Sequence, residues 1–382
     1  MAPQRDQVLL RLCNAGMMCV AIGSSLIPVY LTTFSEAFGG LNESQLGLLA
    51  GLLFAGFVAG IVVTGPLADR IGAKPFALLG TGLNAIGLLF LADAFSYGSL
   101  LAAAFVVGLG AGVIDMVMSP IVSALSIHGR AAAMNRLHAF YCGGAVGTLA
   151  IASLLLHLEI SWRLVMIGFA MAPGAVFIGF MLEPVPPLVH PGKKRQRLRH
   201  LVRQPAFYFV LLAIALVGAT EEGMAQWLPA YAERALGFSK TTAAIALGCF
   251  AIAMGAGRVI ASHHGGILAP RLLVAAGAAL CGLGFLAGAF VPAPAVALLA
   301  CVLVGFSCSV LWPTCLAIAA DTFPHGGATL FAAMAAAGNA GCLFAPFLCG
   351  YIADFNGLHI ALGVGAVYPL LLAGLMVVRR AH

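Results

Sequence analysis

Long apolar runs, separated by short polar breaks, cover most of the chain. Each run is about 20 residues long or more, which is enough for an α-helix to cross the hydrocarbon core of a bilayer. The runs do not alternate apolar and polar residues as the strands of a membrane barrel do. We therefore predict an all-α membrane protein with twelve transmembrane helices, at approximately 8–34, 43–66, 75–94, 97–127, 134–157, 162–182, 205–234, 240–262, 270–291, 295–320, 328–352 and 357–378.

The one long polar segment lies between the sixth and seventh runs. It begins Glu183-Pro-Val-Pro-Pro and continues into a basic cluster from Lys193 to Arg203. It divides the chain into an N-terminal six-helix bundle (1–182), a cytoplasmic linker (183–204) and a C-terminal six-helix bundle (205–382). Because the basic cluster lies next to the membrane, it favours a topology signal or contact with anionic lipids over a nucleic-acid site.

Composition agrees with this pattern. The chain is 62% hydrophobic and only 8% charged, whereas soluble domains carry about 25% charged residues. We expect its ten cysteines to serve as small apolar residues, with no disulfide framework and no metal site. The first apolar run continues into the protein without a cleavage-site pattern, so we interpret it as the first helix and not as a signal peptide.

Charge placement predicts the orientation. If both termini are cytoplasmic, all but three of the 19 Lys and Arg lie on the cytoplasmic side. The three exceptions are Arg163, Arg234 and Lys240. This bias is the one that orients inner-membrane proteins. We expect a multi-pass protein of the cell inner membrane with both termini in the cytoplasm.

A charged decapeptide interrupts the apolar pattern after the second run. Residues 65–74 read Gly-Pro-Leu-Ala-Asp-Arg-Ile-Gly-Ala-Lys, which predicts a tight turn at the membrane surface. This segment resembles the signature between the second and third helices of the major facilitator superfamily, although Ala73 departs from the usual basic residue. The twelve runs and the basic central linker extend the resemblance over the whole chain.

The resemblance implies the major facilitator fold and transport by alternating access. It also implies that this loop helps to hold the cytoplasmic side closed, whereas a plain charged turn that anchors two helices is the simpler alternative. The corresponding loop between the eighth and ninth runs retains only Gly257 and Arg258 and lacks the Asp. The residues expected to act in gating are Gly65, Asp69, Arg70, Gly72, Lys74 and Arg258.

A finer resemblance is to the fucose permease-like branch of the superfamily. It is carried by residues 110–120 in the fourth run, 135–145 in the fifth and 221–231 in the seventh. The first run departs from that branch, because it offers only Asn14, Ser24 and Ser25 where an acidic residue is usual. The fourth run also lacks the Arg often found there in drug antiporters.

Three acidic residues lie deep inside predicted helices, where a charge costs at least about 2.5–3.5 kcal/mol. We predict that Asp115, Glu221 and Glu222 take part in proton coupling. A structural, hydrogen-bonded Asp is the alternative for Asp115. Glu221 and Glu222 point roughly 100° apart on a helix, so we expect one to face the cavity and leave open which.

Other polar and aromatic side chains are candidates for substrate binding. Asn135, His138 and Tyr141 share one face of the fifth helix. Trp227 and Tyr231 could stack on a sugar ring or form part of an aromatic belt. Trp312 lies beside Pro313, which can kink its helix. The predicted substrate-binding residues are Asn135, His138, Tyr141, Gln226, Trp227, Trp312 and Asn339.

These features favour a secondary active transporter of a small neutral polar solute, with a sugar as one candidate and the proton as coupling ion; sodium is the alternative. An exporter of amphipathic compounds or metabolites, working as a proton antiporter, is the second hypothesis. No nucleotide loop or nucleophile motif indicates an enzyme. We expect a monomer surrounded by lipid that binds a small-molecule substrate, with no cofactor and no nucleic-acid partner.

Overall fold

In the computed structural model, the described residues are 2–125, 130–185, 198–263, 269–323 and 327–378. Over these residues the chain is almost entirely helical, which confirms the predicted all-α fold. The helices are α1 (Ala2–Ala37), α2 (Glu43–Ile71), α3 (Ala73–Ala92), α4 (Tyr97–Leu125), α5 (Arg130–His157), α6 (Trp162–Leu182), α7 (Leu198–Leu201), α8 (Pro205–Ala225), α9 (Leu228–Arg234), α10 (Lys240–His263), α11 (Pro270–Phe290), α12 (Pro294–Cys308), α13 (Leu311–Thr322), α14 (Gly327–Gly365) and α15 (Val367–Val378).

Eleven segments of the described chain are long and apolar enough to cross a membrane. The last of them, Thr329–Val377, has 49 residues, which is about twice the length that one crossing needs. It is interrupted at Gly357, whose φ of 78° and ψ of 162° are not helical. The segment therefore supplies the predicted eleventh and twelfth spans, joined through a single glycine.

The regular helical hydrogen bonding of two spans is interrupted, although the residues at both interruptions keep right-handed helical φ and ψ. The seventh consists of α8 and α9, separated at Gln226 and Trp227, and the tenth consists of α12 and α13, separated at Ser309 and Val310. Pro229 and Pro313 account for the breaks, because proline lacks the backbone N–H and its ring clashes with the carbonyl four residues earlier. The kink expected from Pro313 is thus present as a break one turn before it.

The helices group into two compact units, which we describe separately. The first contains Met1–Thr33 and Leu52–Lys193, and the second contains Phe34–Gly51 and Lys194–His382. The end of α1 and the beginning of α2 thus pack with the second unit, although in sequence they belong to the N-terminal half. The domain limits predicted from the linker remain a prediction.

In the first unit, α4 lies directly against the backbones of its neighbours. A side chain at Gly108 would collide with the carbonyl of Leu53 on α2, and one at Gly112 with that of Phe57. On the other flank, a side chain at Gly110 would overlap the backbone of Asn84 on α3. Small residues permit such close backbone approach in membranes, so α4 is held by contacts that leave little room to shift.

In the second unit, α8 packs along α14, and α11 packs against α12 and α15. Gly218 on α8 and Gly341 on α14 each face the backbone of the other helix at a distance that excludes a side chain. This crossing brings the C-terminal end of α8, where Glu221 and Glu222 lie, into the interior of the unit.

Candidate functional site

The second unit contains a cluster of polar side chains on α8 and α10, which we name the acid cluster: Glu221, Glu222, Gln226 and Arg258. The Nη2 atom of Arg258 lies 3.7 Å from Oε1 of Glu221, and the two side chains are 31% and 15% exposed. A charge-assisted hydrogen bond would be about 2.7–2.9 Å long. The contact is therefore a loose ion pair. The other carboxylate oxygen of Glu221, Oε2, is buried without a hydrogen-bond partner.

Glu222 has a different partner one turn along the same helix. The amide Nε2 of Gln226 donates to Oε2 of Glu222 over 2.8 Å. Gln226 is only 1% exposed and is the residue at which α8 ends. The hydrogen bond therefore ties the second carboxyl of the cluster to the helix break of the seventh span.

The charge balance of the acid cluster suits it to hold one proton. It has two carboxyl groups and one guanidinium, so it carries one net negative charge when both acids are ionised and none when one acid is protonated. The thiols of Cys281, Cys308 and Cys342, on α11, α12 and α14, are its electrostatic neighbours. Because an uncompensated charge in such surroundings is costly, uptake of a proton would neutralise the cluster.

The first unit contains a second acidic site. Asp115 on α4 and His138 on α5 are close enough to interact electrostatically. Asp115 is half-buried, His138 is exposed and Tyr141 is half-buried. The structure thus brings together Asp115 and His138, which were predicted separately for proton coupling and for substrate binding. The side chain of Asn135 is outside the described part of the chain, so its predicted role remains a prediction.

Two further predicted binding residues lie near each other in the second unit. The ring of Trp312 on α13 lies against Gly338 on α14, so closely that a side chain at Gly338 would overlap it. The next residue, Asn339, is 9% exposed, and its Nδ2 donates to the carbonyl of Ala335 in the same helix over 2.9 Å. Their roles in binding a substrate remain predictions.

Trp227 and Tyr231 are both 1% exposed, and the role of Trp227 in binding a substrate remains a prediction. Nε1 of Trp227 donates to the carbonyl of Pro346 over 2.9 Å. The hydroxyl of Tyr231 donates to the carbonyl of Gly288 over 2.7 Å. In this conformation both rings are therefore packed inside the second unit, away from its surface. The sequence indicates only that they are near the end of a span, which fits either a lipid-facing or an inward ring.

The charged decapeptide is more helical than predicted. Helix α2 continues to Ile71 and α3 begins at Ala73, so Gly72 alone, with a φ of 99°, joins the two helices. The Nζ atom of Lys74 donates to the carbonyls of Met181 at 3.1 Å and Glu183 at 2.9 Å. A cation at these carbonyls stabilises the C-terminal end of α6, and the predicted gating role of Lys74 remains a prediction.

The remaining gating candidates have different surroundings. Gly65 lies beside Met116 on α4, close enough that an added side chain would come within 3.3 Å of it. The side chains of Asp69 and Arg70 are outside the described part of the chain. Arg258 lies inside α10 and not in a loop, and sequence reasoning missed its pairing with Glu221. The available signal was that the predicted eighth span, 240–262, already includes this arginine.

Comparison with known proteins identifies the family. The profile of the Major Facilitator Superfamily matches residues 13–346 and again 232–382. An uncharacterised MFS-type transporter of Yersinia pestis is 26% identical over 351 residues, which cover 90% of this chain and 88% of that protein. The multidrug resistance protein MdtL of Shigella flexneri is 30% identical over 172 residues, but these cover only 42% of this chain and 43% of MdtL.

Solved structures show the same fold. The nucleoside transporter NupG superposes with a TM-score of 0.81 at 13% identity and covers 98% of this chain and 100% of its own. A D-xylose-proton symporter superposes with a TM-score of 0.79 at 16% identity, covering 97% of each chain. At these identities the similarity concerns the fold alone.

Apolar spans that carry half-buried acidic side chains are typical of a helical, multi-pass membrane transporter. The chain belongs to the major facilitator superfamily. This membership confirms the family predicted from the decapeptide, the linker and the twelve apolar runs. The finer resemblance to the fucose permease-like branch remains a prediction.

Proposed function

We propose that this protein is a proton-coupled symporter of a small polar solute that works by alternating access. The acid cluster carries the proposal, because its two carboxyls and one guanidinium sum to zero charge only when one proton is bound. The site at Asp115 and His138 would supply a second titratable position, in the first unit. Coupling then follows if the solute binds well only when a proton is present.

Polar residues and the charge distribution support the rest of the proposal. Cavity-lining roles for His138, Tyr141, Trp312 and Asn339 would favour a neutral hydroxylated solute such as a sugar, bound through hydrogen bonds. The proteins of similar fold include a nucleoside transporter and a D-xylose-proton symporter. The bias of Lys and Arg supports the inner membrane, with both termini in the cytoplasm. We also propose that the protein is a monomer and that its basic linker contacts anionic lipids.

The first experiment identifies the solute. Purified protein is heated with each member of a library of sugars, nucleosides and carboxylates at two pH values. A solute that binds the folded protein raises the melting temperature, and a proton-coupled solute does so to different extents at the two pH values. If a solute stabilises equally at both pH values, binding is not linked to a proton and the symport mechanism is wrong.

The second experiment tests coupling in proteoliposomes. We expect Glu222→Gln to abolish uptake driven by a pH gradient, while exchange of labelled for unlabelled solute continues. Asp115→Asn is tested in the same way. The matched control is Asp321→Asn, since Asp321 is an exposed acid near the end of α13. Driven uptake that survives both Glu222→Gln and Asp115→Asn would exclude these acids as coupling sites.

The partial similarity to MdtL favours a second candidate, an exporter of amphipathic compounds that exchanges them for protons. The two candidate functions predict opposite directions of solute movement relative to the proton. In inside-out vesicles with an acidic interior, an antiporter accumulates its substrate, whereas a symporter depletes a solute loaded inside. The same two assays with a fluorescent amphipathic compound and with the identified solute separate them.

A further inference from the structure

The tenth span is interrupted beside the acid cluster. Two adjacent residues lie at this interruption, Cys308 at the end of α12 and Ser309 directly after it. The thiol of Cys308 is an electrostatic neighbour of both Glu221 and Arg258. Ser309 is only 1% exposed and packs against α10. One residue of the interruption therefore lies beside the acidic side chain, and the next lies beside the helix that carries the arginine.

The hydroxyl of Ser309 takes part in the interruption itself. Its Oγ donates to the carbonyl of Phe306 over 2.6 Å, and its backbone N–H donates to the same carbonyl over 3.3 Å. Both bonds reach back three residues, whereas a regular α-helix bonds to the carbonyl four residues back. A serine hydroxyl that bonds to a nearby carbonyl competes with the helical pattern in this way. Ser309 thus contributes to the interruption together with Pro313.

Gly257 on α10 lies against this hydroxyl. A side chain at Gly257 would collide with Oγ of Ser309, and its Cβ would lie only 2.8 Å from Cβ of Ser309 and 3.0 Å from the carbonyl oxygen of Phe306. Carbon atoms in contact are about 3.5–4.0 Å apart, so a larger residue would displace one of the two helices. The next residue along α10 is Arg258. The contact between Gly257 and Ser309 is therefore one residue away from the cation of the acid cluster.

A second close contact holds α10 on α12 two turns away. A side chain at Gly305 on α12 would collide with the carbonyl of Phe250 on α10. Because α10 is held at this point, a displacement at Gly257 tilts α10 about it and moves Arg258. Helix α8, which carries Glu221, also packs against α12. The distance between the two charged groups thus depends on where each helix lies on α12.

The titratable groups that face Glu221 come from five helices. They are Arg258 on α10, Glu222 on α8, and the thiols of Cys281, Cys308 and Cys342 on α11, α12 and α14. Among these described groups Arg258 is the only cation. Its distance from Glu221 therefore decides how strongly the ionised carboxylate is stabilised.

We propose that Gly257 and Ser309 are positioning residues for the proton site, a role that rests on the proton coupling proposed above. Their contact sets the distance from Arg258 to Glu221, and through that distance it sets the proton affinity of the acid cluster. At 3.7 Å the ion pair is longer than a charge-assisted hydrogen bond, so a small displacement of α10 changes it strongly. Movement of the tenth span at its interruption would change the same distance.

Infrared spectroscopy tests this role on purified protein without any solute. Each variant is titrated with and without Glu221→Gln, and the part of the protonated-carboxyl band that this substitution removes is the Glu221 band. Gly257→Ala forces α10 away from Ser309. We expect the midpoint of the Glu221 band to move by at least about 0.5 pH unit, which is about a threefold change in proton affinity.

A second substitution should cancel this shift. Ser309→Gly removes the Oγ and Cβ atoms that the new methyl group would meet. The midpoint for Gly257→Ala/Ser309→Gly should therefore lie within about 0.2 pH unit of that for Ser309→Gly alone. Where Gly257→Ala does not fold, Ser309→Gly is compared with the parent instead. Removal of its packed side chain lets α10 settle closer to α12, so the same minimum shift of about 0.5 pH unit is required.

Gly288→Ala is the matched control. A side chain at Gly288 on α11 would collide with Sγ of Cys301 on α12, so the overlap is similar and involves the same helix. Cys301 is not among the groups that face Glu221. We expect a lower melting temperature and a Glu221 band within about 0.2 pH unit of the parent. If Gly257→Ala gives this same result, Gly257 has only a packing role and the proposal is wrong.

Two further results would overturn the positioning role. One is an equal shift by Gly257→Ala with and without Ser309→Gly. The other is the absence of a titrating Glu221 band between about pH 4 and 10.

The infrared titration needs no transported solute, so it separates this role from transport. Midpoints in the expected order, in a protein that transports no tested solute, would support the positioning role and contradict the symport. Normal driven uptake with an unmoved midpoint for Gly257→Ala would contradict only the positioning role.

Discussion

The two acidic sites lie on helices that differ in how freely their backbones can move. Asp115 lies in the middle of α4, an unbroken helix that its glycines lock against the backbones of α2 and α3. Glu221 and Glu222 lie in the last turns of α8, just before the break at Gln226 and Trp227. A side chain on a locked helix can respond only by changing its protonation or rotamer. One beside a helix break can also move with the backbone, so we expect movement linked to protonation mainly at the acid cluster.

The largest expected effect tests the locked helix. Gly108→Val places a side chain against the carbonyl of Leu53, and overpacking of this kind costs about 1–3 kcal/mol or more. The matched control is Gly143→Val on α5, where a side chain would meet nothing within 4 Å. Melting curves and the yield of folded protein measure both. If the two variants are equally stable, α4 is not locked as described.

The next effect tests the loose ion pair. Arg258→Gln leaves Glu221 without its cation and should lower the free energy of unfolding by about 1–3 kcal/mol, a range reduced because the arginine is 31% exposed. Adding Glu221→Gln to this variant should recover at least half of the loss. A double variant no more stable than Arg258→Gln would mean that the 3.7 Å pair contributes nothing.

A smaller effect is expected at the helix break. Gln226→Leu removes the amide that donates to Glu222 and should cost about 1 kcal/mol. It should also change the pH dependence of driven uptake, because the amide no longer stabilises the ionised carboxylate of Glu222. Asn356→Leu is the control, since that exposed amide bonds to its own helix among the contacts described. An unchanged pH profile for Gln226→Leu would mean that the helix break takes no part in proton coupling.

The smallest effect concerns the decapeptide. Lys74→Met removes the cation from the carbonyls of Met181 and Glu183 and should cost about 0.5 kcal/mol, whereas Lys74→Arg should be neutral. We expect transport by Lys74→Met to fall no more than this small loss of stability explains. Complete loss of transport with a normal melting curve would instead favour the gating role.

The sequence predicted the fold well because each span must be apolar over its own length. The predicted eighth span, 240–262, differs by one residue from α10, Lys240–His263. The site was less predictable, because helical spacing shows which residues share a face but not which helix that face meets. This is why Glu221 and Arg258 were assigned to different roles, and why Trp227 was expected at a surface.

The broken spans show the same limit. Pro229 and Pro313 predict a disturbance, but the sequence does not show that α8 ends one turn after its acids in a way that ties Gln226 to Glu222. The hydrogen bond between these two residues depends on the rotamers of both side chains, which the local sequence pattern does not determine. The contacts of Glu43 at the start of α2 with Arg234 and Asp354 depend on α9 and α14 meeting α2, and these elements are far apart in the chain.

The single-residue joint at Gly357 also affects how the chain is inserted into the membrane during synthesis. The eleventh and twelfth spans leave the ribosome without a loop between them. Neither span can therefore insert into the bilayer while the other stays in the aqueous phase. We expect the two to enter as one hairpin that turns at Gly357, where a φ of 78° suits glycine alone among common residues. A substitution there would act on membrane insertion before it could act on transport.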